Sequence, residues 1–297
     1  MPELRKVVVC GVGLIGGSFA LALRTAGAVA EIVGVGRSRT SLQAALDLGV
    51  IDSASGDWRT ALAGTDLVLL ATPVGQFESL MAALVPHLEP QTVVTDGGST
   101  KGDVVAAARR AFGERIGQFV PSHPIAGAER SGVAAANAEL YQGRRVVMTP
   151  LPENTAQGVE RVRRAWHICG ASVSLMSPQE HDLVFAAVSH LPHLLAYALV
   201  DDLARRDNAP LLFSYAASGF RDFTRIAGSH PEMWRDICIA NRAALLAELD
   251  AYLLQLGELR ALLDAADAPA LEAVFDRARR ARNAWAEGGI VGSASGE

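Results

Sequence analysis

Histidines that follow serines are the residues of this sequence best suited to proton transfer. The 297-residue chain has seven histidines, and His123, His190 and His230 each follow a serine. In PSHPIAGAER (121–130), His123 precedes a proline, which restricts the backbone of the residue before it. It also follows QFV, a predicted strand, at the sheet edge where open α/β folds bind ligands. Because an imidazole has a pKa near ~6.5, we predict that His123 is a general acid or base.

The other two Ser-His pairs have different surroundings. His190 and His193 lie in AVSHLPHLLAY (187–197), a helical pattern that Pro192 is predicted to kink or break. A lone helical histidine is more typical of a satisfied packing residue than of a ligand, which favours that interpretation for His190. His230 is predicted in a loop before a helix. The chain lacks a G-x-S-x-G elbow and histidines at helical metal-ligand spacing, which argues against a serine hydrolase and a metal site.

A glycine-rich loop predicts a dinucleotide cofactor. KVVVCGVGLIGGSFALAL has the G-x-G-x-x-G pattern between a predicted strand and a predicted helix. In this pattern the first glycine permits the turn, the second lets a pyrophosphate approach, and the third permits close packing of helix and strand. The helix start supplies free amides for the anion. The residues assigned to cofactor binding are Gly11, Gly13, Leu14, Ile15 and Gly16, together with Thr72 and Pro73 after the strand DLVLLA.

The end of the second predicted strand bears on the choice of cofactor. NAD-specific proteins of this fold have an acidic residue there, which binds the ribose 2′-hydroxyl. In this chain EIVGV continues into Gly36, Arg37, Ser38 and Arg39, without a carboxylate. Arginine side chains match phosphate oxygens and carry a permanent charge. We therefore predict that the protein prefers NADP to NAD, with use of both possible; the alternative is that both arginines are solvated loop residues.

The elements that must position these residues form two groups. Up to about residue 176, short β-branched runs alternate with helical segments, which predicts a Rossmann-type, doubly wound α/β sheet. SPQE (177–180) has the pattern of a capping box, and the sequence after it is almost entirely helical. We predict a dinucleotide-binding domain over 1–176, an all-α substrate and dimerisation domain over 177–287, and a flexible tail over 288–297. The broad apolar faces of these helices predict a homodimer.

Composition limits the class of protein. The net charge is −5, half of the residues are hydrophobic and a fifth are charged, which argues against a basic nucleic-acid surface. The three cysteines are far apart in apolar surroundings and are predicted to be packing residues. Apart from the glycine-interrupted N-terminal run, no stretch is expected to be long and apolar enough for a membrane helix. A small-molecule enzyme of the cytoplasm is therefore the expectation.

Four motifs behind the glycine loop resemble those of the prephenate dehydrogenase family. In order, they are TDGGSTK (95–101), PSHPIAGAERSG (121–132), AVSHLPHLLAYAL (187–199) and ASGFRDFTRIAGSHPEMW (217–234). The resemblance implies oxidative decarboxylation of prephenate to 4-hydroxyphenylpyruvate, with hydride transfer to NAD(P)+, in tyrosine biosynthesis. It also implies a nucleotide-binding domain followed by a helical dimerisation domain.

The resemblance also implies roles for individual residues. His123 matches the base that takes the proton of the 4-hydroxyl, and Ser99 the serine that bridges this hydroxyl and the nicotinamide. Arg225 matches an arginine that binds a substrate carboxylate. The other residues that match substrate-binding positions are Ser189, His193, Trp234 and Glu129. The chain has Ala128 where many relatives have a threonine, so a hydrogen bond often assigned to that threonine is missing.

Three alternatives remain open at this stage. Arogenate differs from prephenate only in an amino group for a keto group, so arogenate or dual specificity is possible, although Trp234 in HPEMW favours prephenate or both. A 3-hydroxy-acid dehydrogenase or imine reductase of the same plan would need a lysine in the helical domain, and no lysine follows Lys101. A catalytically inactive nucleotide-binding sensor is a remote third possibility.

Overall fold

A six-stranded parallel sheet forms the first part of the chain. The computed structural model describes residues 2–127 and 130–288. The strands β1 (Leu4–Cys10), β2 (Val29–Val35), β3 (Ser53–Ala54), β4 (Leu67–Leu70), β5 (Val93–Asp96) and β6 (Phe119–Val120) lie in the order β3-β2-β1-β4-β5-β6. All neighbouring pairs are parallel. This order, with the reversal next to β1, confirms the predicted Rossmann-type sheet.

Helices cover both faces of this sheet. They are α1 (Leu14–Thr25), α2 (Arg39–Asp47), α3 (Trp58–Leu62), α4 (Phe77–Leu84), α5 (Gly102–Phe112) and α6 (Ala156–Ile168). Side chains alternate along β1, so Val7 and Val9 join one apolar cluster with Phe19, whereas Val8 joins a second with Met81. A sheet buried on both faces explains why its central strands are almost continuously hydrophobic.

A second, three-stranded sheet was not predicted. Strands β7 (Ser122–Pro124), β8 (Arg145–Met148) and β9 (Ser172–Leu175) form it, with β7 antiparallel to β8 and β8 parallel to β9. His123 is therefore a strand residue paired with Val147, and not a loop residue after the strand. The reason is non-local, because β7 and β8 are separated by about twenty residues that give no hairpin signal.

Only helices and short turns follow β9 in the described residues. They are α7 (Pro178–Phe185), α8 (Leu191–Ala204), α9 (Ala209–Ser214), α10 (Ser218–Thr224), α11 (Pro231–Ala240), α12 (Arg242–Asp264) and α13 (Ala268–Ala286). Ser177 and Glu180 form the predicted capping box at the start of α7. By its contacts the chain divides into two compact units after Leu245. The boundary predicted at 176/177 stays a prediction, and residues 289–297 of the predicted tail lie outside the described residues.

Pro192 does not break the helix in which it lies. A π-helical turn, Ala186–His190, joins α7 to α8, so one helix runs from Pro178 to Ala204. Proline lacks an N–H and crowds the preceding turn, and the wider π turn accommodates both effects. This helix is long and apolar enough to cross a membrane by length and composition, contrary to our expectation from the sequence. Core helices of soluble proteins pass the same test, and this one supplies histidines to the site described below.

Candidate active site

The glycine loop leaves space for an anion at the start of α1. Gly11 has φ +94°, and a Cβ there would lie 2.7 Å from the Ala71 carbonyl oxygen. A Cβ on Gly16 would lie 2.2 Å from the Gly11 carbonyl oxygen, so both positions require glycine. Gly13 caps α1 without a side-chain hydrogen bond, and a Cβ there would meet nothing within 4 Å. Free amides facing open space fit the pyrophosphate of a dinucleotide.

The residues after β4 lie against this loop. A Cβ on Gly11 would be 2.9 Å from Cγ2 of Thr72. The Thr72 Oγ1 is buried and has no hydrogen-bond partner within residues 2–127 and 130–288, so it is available to a ligand. Pro73 caps the short 3₁₀ turn Val74–Gln76. Leu14 and Ile15, the first residues of α1, are partly buried.

The residues after β2 are exposed to solvent. Arg37, Ser38 and Arg39 are all exposed at the carboxyl end of this strand. The Ser38 hydroxyl accepts the Ser41 amide over 3.1 Å and caps α2, a structural role that the sequence analysis did not assign. Arg37 and Arg39 therefore follow the strand end at which a residue meets the ribose in this fold.

His123 is joined to two further polar side chains. Its Nδ1 lies 2.8 Å from Nε2 of His181, and Nδ1 of His181 lies 2.8 Å from Oδ1 of Asp182. The His123 ring also packs against Phe185, with 4.9 Å between centroids. Burial lowers the pKa of His123 well below 6.5, and charge on His181 would lower it further. His123 is therefore neutral at pH 7 and can accept a proton.

Asp182 is fixed by the backbone of α5. Its carboxylate accepts the Lys101 amide over 2.8 Å and the Gly102 amide over 2.7 Å. Burial alone would raise the pKa of Asp182, but the hydrogen bonds from His181 and these amides outweigh it, and the net shift is downward. Asp182 is therefore an ionised acceptor. It ties the helix α7 to the TDGGSTK motif.

A buried ion pair supports the strand that bears His123. Lys101 and Asp96 have fully buried side chains, and the Lys101 Nζ lies 2.5 Å from Asp96 Oδ2. The carboxylate also accepts the amides of Gly98 (2.8 Å) and Ser122 (3.0 Å). The Ser122 hydroxyl donates to the Asp96 carbonyl over 2.6 Å, so this serine is structural. These contacts join the end of β5 to β7.

His190 and Asn241 form a second buried pair. Asn241 Nδ2 donates to Nδ1 of His190 over 3.1 Å and to the Asp182 carbonyl over 2.7 Å. Burial lowers the pKa of His190 to about 4, and the negative charge of Asp182 acts in the opposite direction. His190 is therefore neutral at pH 7, but its Nε2 is buried without a hydrogen-bond partner among the described residues, so it is not the fully satisfied packing residue that the sequence favoured.

His193 and Trp234 stack face to face. Their ring centroids are 3.5 Å apart with an interplanar angle of 18°. Nδ1 of His193 donates to the Ser189 carbonyl over 2.8 Å, a contact within the helix that contains the π turn. Burial lowers the pKa of His193, and the positive charge of Arg225 lowers it further, so Arg225 is within electrostatic reach. The Trp234 Nε1 is buried and has no partner among the described residues.

The structure thus brings together most of the residues predicted to bind substrate. His123 reaches Asp182 through His181, Asn241 joins the Asp182 carbonyl to His190, and the rings of His190 and His193 both contact Trp234. Ser99 is partly buried between β5 and α5, and Arg225 is exposed at the start of the 3₁₀ turn Arg225–Gly228. Glu129 and Ala128 lie outside the described residues. In the described part of the chain no group of three or more His, Cys, Asp or Glu side chains is arranged to hold a metal ion.

Several polar residues of the site were not predicted from the sequence. They are His181, Asp182, Asp96, Lys101 and Asn241. His181 and Asp182 could have been noticed in the sequence, because they form the dipeptide HD directly after the SPQE capping box. Its helix was predicted correctly, but nothing local indicated that the imidazole would meet His123, which is 58 residues away.

Comparison with known proteins identifies the family. Residues 19–175 match the family model described as "Prephenate dehydrogenase, nucleotide-binding domain", and residues 177–277 the one described as "Prephenate dehydrogenase, dimerization domain". A prephenate dehydrogenase of Bacillus subtilis is 37% identical over 93% of this chain and 75% of its own length. A cyclohexadienyl dehydrogenase of Zymomonas mobilis is 34% identical over 95% of this chain and 96% of its own length.

A solved structure supports the same assignment. The prephenate dehydrogenase of A. aeolicus, in complex with hydroxyphenyl propionate and NAD+, superposes with a TM-score of 0.87 and 37% identity. The match covers 94% of this chain and 97% of that one. Together with the two domain matches, this likeness shows that the chain belongs to the prephenate dehydrogenase family, a family of nicotinamide-dependent oxidoreductases.

Proposed function

We propose that this enzyme oxidatively decarboxylates prephenate to 4-hydroxyphenylpyruvate, with NADP+ as preferred cofactor, in tyrosine biosynthesis. One observation carries the proposal. A Cβ on Gly97 would lie 3.1 Å from Ile15 Cγ2 and 3.7 Å from Pro124 Cδ, so the residue after β5 touches both the cofactor loop and the neighbour of His123. This closeness of His123 to the glycine loop, at the carboxyl end of β5, supports transfer of a proton and a hydride from one substrate carbinol.

In the proposed mechanism His123 takes the proton of the 4-hydroxyl as a carbonyl develops at the ring carbon. The bound nicotinamide would supply the acceptor for the hydride that leaves this carbon, and the ring carboxylate departs as CO2. Aromatisation drives the step, so the protein mainly supplies position and a base, and the base contributes roughly 10²- to 10⁴-fold. Ser99, next to the same hydroxyl, would orient it.

The substrate is a dicarboxylate, and the remaining residues suit its charge and shape. We assign Arg225 to a carboxylate, since a guanidinium pairs with it in a fixed geometry. The stacked His193 and Trp234 offer a flat wall, and the Trp234 Nε1, which has no partner within the described part of the chain, is available as a donor. Ser189, on the π turn Ala186–His190, and Glu129 complete the set assigned to substrate binding.

The preference for NADP+ rests on Arg37 and Arg39, which are exposed where the ribose of the cofactor would lie. A homodimer through the helical domain is supported by the match to a dimerization domain over 177–277. It is also supported by large apolar side chains that are exposed on α12 and α13, such as Leu254, Phe275 and Trp285. We place the enzyme in the cytoplasm, with its small-molecule substrate.

Arogenate is the second candidate substrate. The relative named cyclohexadienyl dehydrogenase matches this chain over nearly its whole length, which favours an enzyme that accepts both prephenate and arogenate as the alternative. The deciding experiment is a set of initial rates at 340 nm with prephenate or arogenate and with NADP+ or NAD+. We expect the highest kcat/KM for prephenate with NADP+. Turnover of arogenate alone would reassign the substrate, and cofactor binding without turnover of either would make the protein a sensor.

A further inference from the structure

The base that the proposed function requires is the end of a three-membered hydrogen-bonded chain. His123 Nδ1 and His181 Nε2 are 2.8 Å apart, as are His181 Nδ1 and Asp182 Oδ1. The His181 side chain is fully buried, and its ring also contacts Phe185 with 4.5 Å between centroids. The proposed mechanism so far uses neither His181 nor Asp182.

The proton positions along this chain follow from its far end. An ionised carboxylate can only accept, so Nδ1 of His181 carries the proton that faces Asp182. Burial lowers the pKa of His181, so its ring is neutral at pH 7 and Nε2 presents a lone pair. Nδ1 of His123 must then be the donor to this lone pair. A neutral His123 therefore has its own lone pair on Nε2.

We infer that His181 and Asp182 are positioning residues, which hold His123 as the Nδ1–H tautomer with Nε2 free for the substrate hydroxyl. This inference rests on the proposed function, because it assumes that His123 is the base. The same chain stabilises the imidazolium that forms when Nε2 takes the proton, since the stronger donor at Nδ1 still faces His181 and, beyond it, a negative charge. The positive charge of the buried Lys101 lowers the pKa of His123 and so opposes this protonation, which is why the stabilisation is needed.

His181 is the position at which the inference can be tested. Asp182 also accepts the amides at the start of α5, so its replacement would disturb a helix as well as the chain. Asparagine at 181 can place an amide near the Nδ1 position and keep a donor to Asp182, but it offers His123 no acceptor. Glutamine reaches the Nε2 position, where its oxygen can accept from His123. Each variant therefore keeps one of the two contacts of His181: His181→Asn keeps the donor to Asp182, and His181→Gln keeps the acceptor for His123.

The kinetic test compares His181→Asn with His181→Gln in the full-length enzyme. We expect His181→Asn to lose about 10- to 100-fold in kcat, because a base in the wrong tautomer forfeits much of its contribution. KM for prephenate should stay within about threefold, and His181→Gln should keep kcat within about fivefold of wild type. Equal losses in both variants, or a loss mainly in KM, would indicate a packing role and overturn the inference.

A second measurement needs no substrate. In protein labelled with ¹⁵N-histidine, the ring nitrogen shifts and couplings of His123 report which nitrogen carries the proton. We expect Nδ1–H in the wild type at pH 7 and a loss of this preference in His181→Asn. A wild-type His123 protonated on Nε2 would refute the inference even if His181→Asn does not fold. If the wild type turns over neither substrate, the proposed function fails, and the NMR result still decides the tautomer.

Discussion

Substitution by alanine should affect different properties at two glycines of the cofactor loop: cofactor binding at Gly13 and folding stability at Gly16. A Cβ on Gly13 would meet nothing within 4 Å, whereas one on Gly16 would lie 2.2 Å from the Gly11 carbonyl oxygen and 2.7 Å from Val9 Cγ1. The methyl group of Gly13→Ala would therefore occupy the space assigned to the pyrophosphate. The methyl group of Gly16→Ala would instead force the helix α1 away from the sheet.

The expected magnitudes follow from these distances. Gly13→Ala should weaken NADP+ binding about 10- to 100-fold, if it costs one charge-assisted hydrogen bond of roughly 1.5–3 kcal/mol. Its folding stability should change little, because weaker capping and the reduced entropy of the unfolded chain offset each other. Gly16→Ala overpacks the core at a cost of about 1–3 kcal/mol, which lowers Tm by roughly 2–12 °C for a unit of this size.

The assay pairs isothermal titration with NADP+ and thermal unfolding without it. The wild type and both variants are compared at one protein concentration, because subunit association changes Tm. Native affinity for NADP+ in Gly13→Ala would refute the assigned pyrophosphate position. A Gly16→Ala protein as stable as the wild type would refute the packing argument.

Three further predictions concern the cofactor, the buried ion pair and pH. Arg37→Ala should raise the KM for NADP+ about tenfold and leave the KM for NAD+ within about twofold of wild type, because only the 2′-phosphate of NADP+ pairs with the guanidinium. Equal changes in KM for both cofactors in steady-state kinetics would contradict this role of Arg37. Asp96→Asn leaves the buried Lys101 ammonium without its counter-charge and should lower the free energy of unfolding in urea by about 3–5 kcal/mol. The second substitution Lys101→Met should recover part of this stability. A loss below about 1 kcal/mol in Asp96→Asn would show that the ion pair is dispensable. Burial lowers the pKa of His190 from 6.5 to about 4, so between these two pH values the imidazole is protonated in the unfolded chain but not in the folded protein. The wild type should therefore lose folding stability as the pH falls from 6.5 toward 4, and His190 should contribute roughly 3 kcal/mol to this loss. His190→Asn, whose side-chain oxygen can still accept from Asn241, should show a shallower loss in urea titrations, and an unchanged slope would exclude His190 as the source.

Local patterns in the sequence predicted the framework of the cofactor site. The strand, the three glycines and the helix that starts at Leu14 are contiguous, so their geometry follows from neighbouring residues alone. The capping box at Ser177 was predicted for the same reason. The parallel direction of the strands also follows from their alternation with helices, because parallel strands need such crossovers.

Contacts between distant residues could not be predicted in this way. His123 pairs with Val147 in a second sheet, and its imidazole meets His181 from a helix of the following segment. Pro192 was expected to kink or break its helix, and a π turn at 186–190 accommodates it instead. Packing of the chain as a whole decides each of these outcomes, and no spacing in the sequence encodes them.

The central claim is that His123 takes the proton of the substrate hydroxyl. The most direct measurement is kcat of His123→Asn with prephenate and NADP+, because the asparagine amide can still donate toward His181 but provides no base in place of Nε2. We predict a loss in kcat of at least ~10²-fold, with NADP+ affinity and Tm close to those of the wild type. A His123→Asn enzyme that retains a kcat near that of the wild type would contradict the account.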